Sequence, residues 1–479
     1  MATSAACFEW APVSKIIHTE GYTVVVSDCG VGVTSHATGE TTTTSTSTSG
    51  GNPHSAPITA ATTYWGSNNT LRLVTLSSKD NCLAVRTLPT LEVVATATTR
   101  RAGTEVSVVP PSCVGEGGGE EGVVVVGDKA GDAYVYALPG LVMEEDKGEL
   151  DREHRLLGHI GMLTCVETLV VGGKDEEEEK ERAYVVTADR DERIRVSSFP
   201  DAYNIQSFCL GQSEFISALQ VVPNTMFLFS GSGDGSVAMY DGKDGSQIGP
   251  LVHVATGDVV IPPLVHNADV HAGNRGSFVP VGVIEQTDTS SLSQTVVGRL
   301  TLAPDALVLA ATALGHPAVY LLSANPASGL SWEGKIDLVG LQMGGPFEPL
   351  PADIQVLAVA FDAQSRLWIS VHSETSQSIP AMVVLVHDEA SSSWVPVAHD
   401  SDPVLTSLLG AELAPSESTT SWDLDHLALG VPLAQLTKRS LTMDMSGRKV
   451  ARSADAIAKA PSSVVGSSLT TKRPRKLND

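Results

Sequence analysis

Gly158-His159, followed further along by Thr187-Ala188-Asp189-Arg190-Asp191-Glu192-Arg193-Ile194-Arg195-Val196-Ser197, frames the stretch on which the fold can be read. Within it, Gly161 to Val171 and Ala183 to Ala188 are rich in the β-branched residues of strands. Asp189 to Glu192 supplies a tight turn, Arg193 to Phe199 a third strand and Ile205 to Leu210 a fourth. Alternate side chains of a strand share a face, so Arg193 and Arg195 point one way while Ile194 turns toward a neighbouring sheet.

The same order of signals returns immediately afterwards. Phe215 to Val222 and Met226 to Ser230 alternate as strands, Ser232-Gly233-Asp234-Gly235 forms a turn whose glycines tolerate positive φ, and Ser236 to Tyr240 follows. Weaker copies lie at Leu71 to Val94, with a turn at Lys79-Asp80-Asn81, and at Val106 to Leu138, with a turn at Asp128 to Gly131. Two more follow at Gly298 to Leu322 and Val356 to Val386. A seventh unit is expected from Tyr22 to Val33 joined by strands between Val404 and Leu433, which would unite the two chain ends in one blade. Short repeated sheets, one of them opened by Gly158-His159, predict an all-β fold, a seven-bladed WD-repeat β-propeller. Its expected bounds are 15–433, with loop insertions at 34–57 and 172–182, ahead of a disordered basic C-terminal tail at 434–479. Three low-complexity stretches read as solvated loops: Thr41 to Ser49, Gly115 to Gly122, and the acidic Lys174 to Arg182.

Composition agrees. The 479 residues are 42% hydrophobic with a mean hydropathy of +0.07, enough to bury one large domain. No run of about 18 apolar residues or secretory leader is evident, so a soluble intracellular chain with no membrane partner is expected. The six cysteines (Cys7, Cys29, Cys82, Cys113, Cys165, Cys209) show no C-x-x-C pair and read as reduced, mostly buried thiols. A metal site could be assembled only at long range, and none is assigned. The net charge of −24 argues against gripping nucleic acid through phosphates. From Lys438 onward ten Lys or Arg face three Asp, giving +7 and leaving the preceding body at −31.

No catalytic or cofactor-binding residue is assigned. Gly231-Ser232-Gly233-Asp234-Gly235 lacks the Lys and following helix of a phosphate loop and is explained as a turn. His159 is expected to hydrogen-bond a turn carboxylate, Asp189 or Asp191, rather than act as a base. The cluster Asp189 to Arg195 has two open readings, an internally neutralised turn or a docking site for an acidic partner.

Thr187 to Ser197, with Phe208-Cys209-Leu210-Gly211 and Glu214-Phe215-Ile216-Ser217, resembles the non-catalytic WD-repeat subunit of the tRNA (guanine-N7-)-methyltransferase. Asp128-Lys129-Ala130-Gly131-Asp132-Ala133-Tyr134 and Leu156-Leu157-Gly158-His159 extend the likeness over roughly Val123 to Tyr240. The resemblance implies a heterodimer in which a separate catalytic subunit binds S-adenosylmethionine and methylates guanine N7 in the tRNA variable region. The propeller would stabilise that subunit, and tRNA would be reached mainly through it. The resemblance assigns partner binding to Asp191, Arg193 and Arg195, with Arg193 standing where many relatives carry Lys or His. Lys472-Arg473-Pro474-Arg475-Lys476 reads as a nuclear import signal, so the nucleus is the expected location. A general interaction scaffold, such as a ubiquitin-ligase substrate receptor, is the alternative, because propellers host unrelated functions.

Overall fold

The computed structural model describes residues 12–44, 51–114, 119–141, 155–172, 181–260, 295–305, 307–343, 347–375, 379–410, 429, 433–436, 441–443 and 449–451. Residues 1–433 form one compact unit and 434–479 another. In the second, Leu441–Met443 pairs antiparallel with Lys449–Ala451, a short hairpin inside the stretch expected to be disordered. No helix of the described residues is long and apolar enough to cross a membrane.

The first unit contains seven antiparallel sheets in chain order, at 13–43, 60–98, 103–158, 163–209, 216–260, 297–337 and 355–396, here blades 1 to 7. Six have four strands, and blade 5 adds a fifth, Val259–Val260. Burial follows position within a blade. Arg182–Asp189, second from the axis in blade 4, is buried almost throughout because both its faces are covered. Val93–Thr98, outermost in blade 2, alternates between exposed and half-buried residues.

Seven apolar clusters hold the sheets together, one at every junction between neighbouring blades. Blade 4 shares Leu163, Val166, Ala183 and Val185 with blade 3. On its other face it gives Val186, Ala188, Ile194 and Val196 to the cluster shared with blade 5. The junction that closes the ring packs Val13, Ile16 and Val25 against Ala358, Ala360, Trp368 and Met382.

The seven-bladed expectation holds, but the closure differs from the one expected. Blade 1 takes all its strands from consecutive sequence, Val13–His18, Tyr22–Ser27, Gly30–Ser35 and Thr41–Thr43. No strand from 404–433 joins it among the described residues; instead Pro403–Gly410 is a helix. Two local signals explain this. Thr41–Thr43, expected as loop, pairs with Gly32 to Thr34 and fills the outer-strand position. Asp402 caps the helix, its Oδ1 accepting the N–H groups of Val404 and Leu405 at 2.9 Å, while Pro403 occupies the first turn, where an N–H is dispensable. Leu405 and Leu408 then bury into the closing junction. Thr41 and Ser407 are joined through their hydroxyls at 2.6 Å.

Glu121, inside the expected Gly/Glu loop, is a second departure. It is 2% exposed, and its carboxylate accepts from Tyr64 Oη (3.0 Å), Ser67 Oγ (2.7 Å) and Arg72 Nη2 (3.2 Å), tying blade 3 to blade 2. Residues 173–180, most of the acidic insertion, lie outside the described residues and connect the first two strands of blade 4.

Asp402 also forms an ion pair with Arg366, which in turn binds Asp362 at 2.6 Å. Asp402→Ala removes a helix cap and a part-buried ion pair together, and is expected to cost about 1–3 kcal/mol. Urea denaturation measures it, with an unchanged m-value showing that the native ring still closes.

Candidate functional site

The turn between the second and third strands of blade 4 is held by one carboxylate. Asp189 Oδ1 accepts the N–H groups of Asp191 (2.9 Å) and Arg193 (3.0 Å), satisfying two donors the turn would otherwise leave open. Its Oδ2 accepts from His159 Nδ1 at 2.8 Å, and His159 Nε2 lies 2.8 Å from Thr187 Oγ1. Burial pushes the Asp189 carboxyl upward. The hydrogen bonds from His159 and the backbone outweigh this and hold it below the usual carboxylate range. His159 therefore has the structural role expected of it, and Asp189 rather than Asp191 is its partner.

The connection entering blade 4 lies against this turn. His159 N–H donates to Gly131 O at 2.7 Å, and Arg190 N–H to Met162 O at 2.9 Å, so residues 159–162 are wedged between the turns of blades 3 and 4. The approach is close: a Cβ on Gly161 would stand 2.8 Å from Asp191 Oδ2, so a side chain here would require that carboxylate to move. At the crest of the connection Ile160 is 88% exposed. A β-branched apolar side chain in a Gly-His-x-Gly loop is the only sequence signal for it, and turn chemistry obscures it.

The three residues assigned to partner binding fall together at this turn but in different states. Asp191 is half-buried, with Arg190 Nε 3.9 Å from its Oδ1. Arg193 is exposed, and its side chain has no hydrogen-bond or ion-pair partner among the described residues. Arg195 is half-buried and engaged within the blade: Nε donates to Ser197 Oγ (2.8 Å) and Nη2 to Ala202 O (2.5 Å). Ile194, between the two arginines, is fully buried toward blade 5, as alternation requires. On neighbouring blade 3, Asp132 pairs with Arg155 at 3.2 Å and with Arg101, in the connection from blade 2, at 3.3 Å. The result is a surface that combines one uncommitted arginine, Arg193, with the exposed Ile160 on an acidic protein.

Residues 141–261 match the family model described as tRNA methyltransferase TRM82 WD40 domain, a span holding blades 4 and 5 and the last strand of blade 3. The chain is 29% identical over 276 residues to the tRNA (guanine-N(7)-)-methyltransferase non-catalytic subunit wdr4 of Danio rerio, covering 57% of this chain and 51% of that protein. It is 40% identical over 127 residues to the non-catalytic subunit WDR4 of Mus musculus, 26% of each chain. The chain spans about half the length of the first of these relatives. Among solved structures, the crystal structure of RRP9 WD40 repeats aligns with a TM-score of 0.49 at 15% identity, covering 78% of this chain and 93% of that one.

A second titratable cluster lines the axis, on innermost strands that lie far apart in sequence. Lys15 of blade 1 pairs with Glu105 of blade 3, Nζ to Oε1 at 3.0 Å. Glu167 of blade 4 and Arg299 of blade 6 lie within the field of the same groups. Burial, and then the charge of Glu105, push Glu167 up to about 8 against the partial relief of Lys15. The folded chain thus keeps a proton that the unfolded chain releases near its ordinary value of about 4.3, so stability declines as pH rises from there toward 8. Glu167 is only half-buried, so solvent screening moderates the size of the effect. In Glu167→Gln the decline should flatten, read as a smaller stability difference between pH 5 and pH 8 by chemical denaturation.

Proposed function

We propose that this chain is the non-catalytic subunit of a tRNA guanine-N7 methyltransferase, a scaffold that binds and stabilises a separate catalytic subunit through the exposed surface of blades 3 and 4. The observation that carries this reading is Arg193. It is a charged, exposed side chain with no partner among the described residues, and both it and the exposed Ile160 of the adjoining connection lie inside the segment that matches the TRM82 WD40 family model. An exposed apolar side chain and an uncommitted guanidinium on one connection and its turn suit a partner that offers an apolar pocket and a carboxylate. Asp191 lies half-buried in the same turn, its N–H donated to Asp189. Arg195, already bonded to Ser197 and Ala202, braces it from within the blade.

Division of labour follows from charge. With −24 overall, the propeller is poorly suited to holding tRNA phosphates, and tRNA is reached mainly through the catalytic subunit, which also supplies S-adenosylmethionine. The basic segment Lys472 to Lys476 lies outside the described residues and is proposed to direct the chain to the nucleus.

Two substitutions separate the roles of the arginines. Arg193→Glu should leave thermal stability unchanged while weakening the complex with the purified catalytic subunit by about 10- to 100-fold, more at low salt than at high. Arg195→Glu should weaken the complex and also lower stability, because it strands the Ala202 carbonyl and places a carboxylate among acceptors. Titration calorimetry at two salt concentrations, with tRNA methylation as readout, decides the matter. A folded Arg193→Glu chain that binds and activates like the parent would remove the docking assignment, and purification of the parent with ubiquitin-ligase adaptors instead of a methyltransferase would replace the function. Deleting 438–479 should leave the complex active and reduce nuclear accumulation of a tagged chain.

A further inference from the structure

Blade 2 repeats the polar arrangement of blade 4 with one member changed. His54 Nε2 lies 2.8 Å from Thr75 Oγ1, matching His159 and Thr187. Two residues beyond Thr187 stands Asp189, which satisfies the other imidazole nitrogen; two residues beyond Thr75 stands Ser77. The substitution leaves polar atoms stranded. His54 is only 4% exposed, yet its Nδ1 has no hydrogen-bond partner, and neither has the buried Oγ of Ser77. A buried imidazole nitrogen without a partner is costly unless something fills the gap.

The turn of blade 2 brings two further donors to that gap. Asp80 and Cys82 place a carboxylate oxygen and Sγ such that these atoms and a ring nitrogen of His54 all lie within 4.8 Å of one another. Tetrahedral coordination with bonds of about 2.0–2.3 Å sets donors roughly 3.3–3.8 Å apart, a contraction within reach of small side-chain rotations. We propose that His54, Asp80 and Cys82 bind a zinc ion, with water in the fourth position.

The surroundings are those a coordinated ion uses. An ion bound through Nδ1 would leave the imidazole proton on Nε2, where Thr75 Oγ1 stands 2.8 Å away to accept it. Asp80 is oriented by the N–H groups of Ser55, at 2.8 Å to Oδ2, and of Cys82, at 3.0 Å to Oδ1. Asp80 and Cys82 are half-buried, so an ion has a path inward. One nitrogen, one oxygen and one sulfur make a borderline set that favours zinc over calcium or magnesium. Burial, then the charge of Asp80, raise the Cys82 thiol in the metal-free chain, while Arg86 draws it down. Metal binding forms the sulfur–metal bond and releases the thiol proton to solvent. The three residues have no metal-ligand spacing in sequence: His54 precedes the blade, Asp80 lies in its central turn and Cys82 begins the strand that follows.

Cobalt(II) titrated into the metal-free full-length chain is the probe, because a thiolate ligand gives a near-ultraviolet charge-transfer band and tetrahedral geometry gives visible bands. One equivalent should produce both, and zinc should abolish both. Cys82→Ser should lose the charge-transfer band, Asp80→Asn should weaken binding at least about tenfold, and Thr75→Val should weaken it about 10- to 100-fold. Cys113→Ser, a buried thiol of another blade, should bind as the parent does. Circular dichroism establishes that each variant is folded. Absence of the sulfur band in the folded parent, or its persistence in Cys82→Ser or undiminished in Asp80→Asn, overturns the site.

Discussion

The ring depends on one junction that local sequence cannot form. Val13–His18 lies against Gln355–Phe361, and Ser370 Oγ donates to Val13 O at 2.6 Å across 357 residues of chain. Six of the seven inter-blade clusters join blades consecutive in sequence and can assemble as each blade is completed. The seventh carries the loop-closure entropy of the whole domain and gains nothing until both ends are in place. The chain compensates at this point. Trp368, fully buried, donates its indole N–H to Asp362 at 2.9 Å; Asp362 binds Arg366, Arg366 binds Asp402, and Asp402 caps the helix that buries Leu405 and Leu408 in the same seam. Polar and apolar terms converge on the junction that most needs them, without a strand exchanged between the chain ends among the described residues.

Much of this was legible because a blade repeats chemistry as well as shape. Asp128 in blade 3 and Asp189 in blade 4 each accept N–H groups from the residues two and four beyond, so an Asp followed by a polar turn marks where the second strand hands over to the third. Asp362 uses the same arrangement at the opposite end of blade 7, toward Gln364 and Arg366. The turns of blades 2 to 5 could therefore be placed from residue type alone, while blades 6 and 7 were legible only as strand-rich ranges, Gly298 to Leu322 and Val356 to Val386. Misreadings arose where a residue's role was set by a distant partner. Thr41–Thr43 belongs to a Thr/Ser run that composition assigns to solvent, and only pairing with Gly32 to Thr34 makes it a strand. Glu121 sits among glycines and glutamates, and its burial depends on Arg72 in another blade. Asp402-Pro403 has the residue types of a helix start, and the expectation of strands between Val404 and Leu433 passed over it.

The imidazole at the entrance to a blade shows how repetition allows variation. In blade 4 its two nitrogens reach Asp189 and Thr187, and every polar atom of the trio is satisfied. In blade 5 Gln212 takes the equivalent place, its Oε1 accepting from Ser230 Oγ at 2.5 Å and its Nε2 donating to Ser236 O at 3.0 Å. An amide combines acceptor and donor, so the blade dispenses with a carboxylate at Ser232. Blade 2 keeps the histidine and loses the carboxylate, the one combination of the three that leaves a nitrogen over. A buried polar trio tolerates exchange of two members together far better than exchange of one.

The surface of blades 3 and 4 follows the same accounting of satisfied and unsatisfied groups, applied to charge. Arg101 and Arg155 share Asp132, and Arg195 is held by oxygen acceptors of its own blade. Such groups have already spent part of their interaction energy on the free protein, and a partner gains from them only what it can add in competition. Arg193 is different: with its backbone fixed by Asp189 and its neighbour Ile194 buried, its origin is rigid while its head remains in water. A long side chain anchored at its base loses less freedom on meeting a carboxylate than one on a mobile loop. The embedded reading of the turn as internally neutralised and the reading as a docking site are therefore not exclusive. Internal bonds satisfy Asp189 and Arg195 so that the turn keeps its shape, and that shape is what holds Arg193 and Ile160 outward.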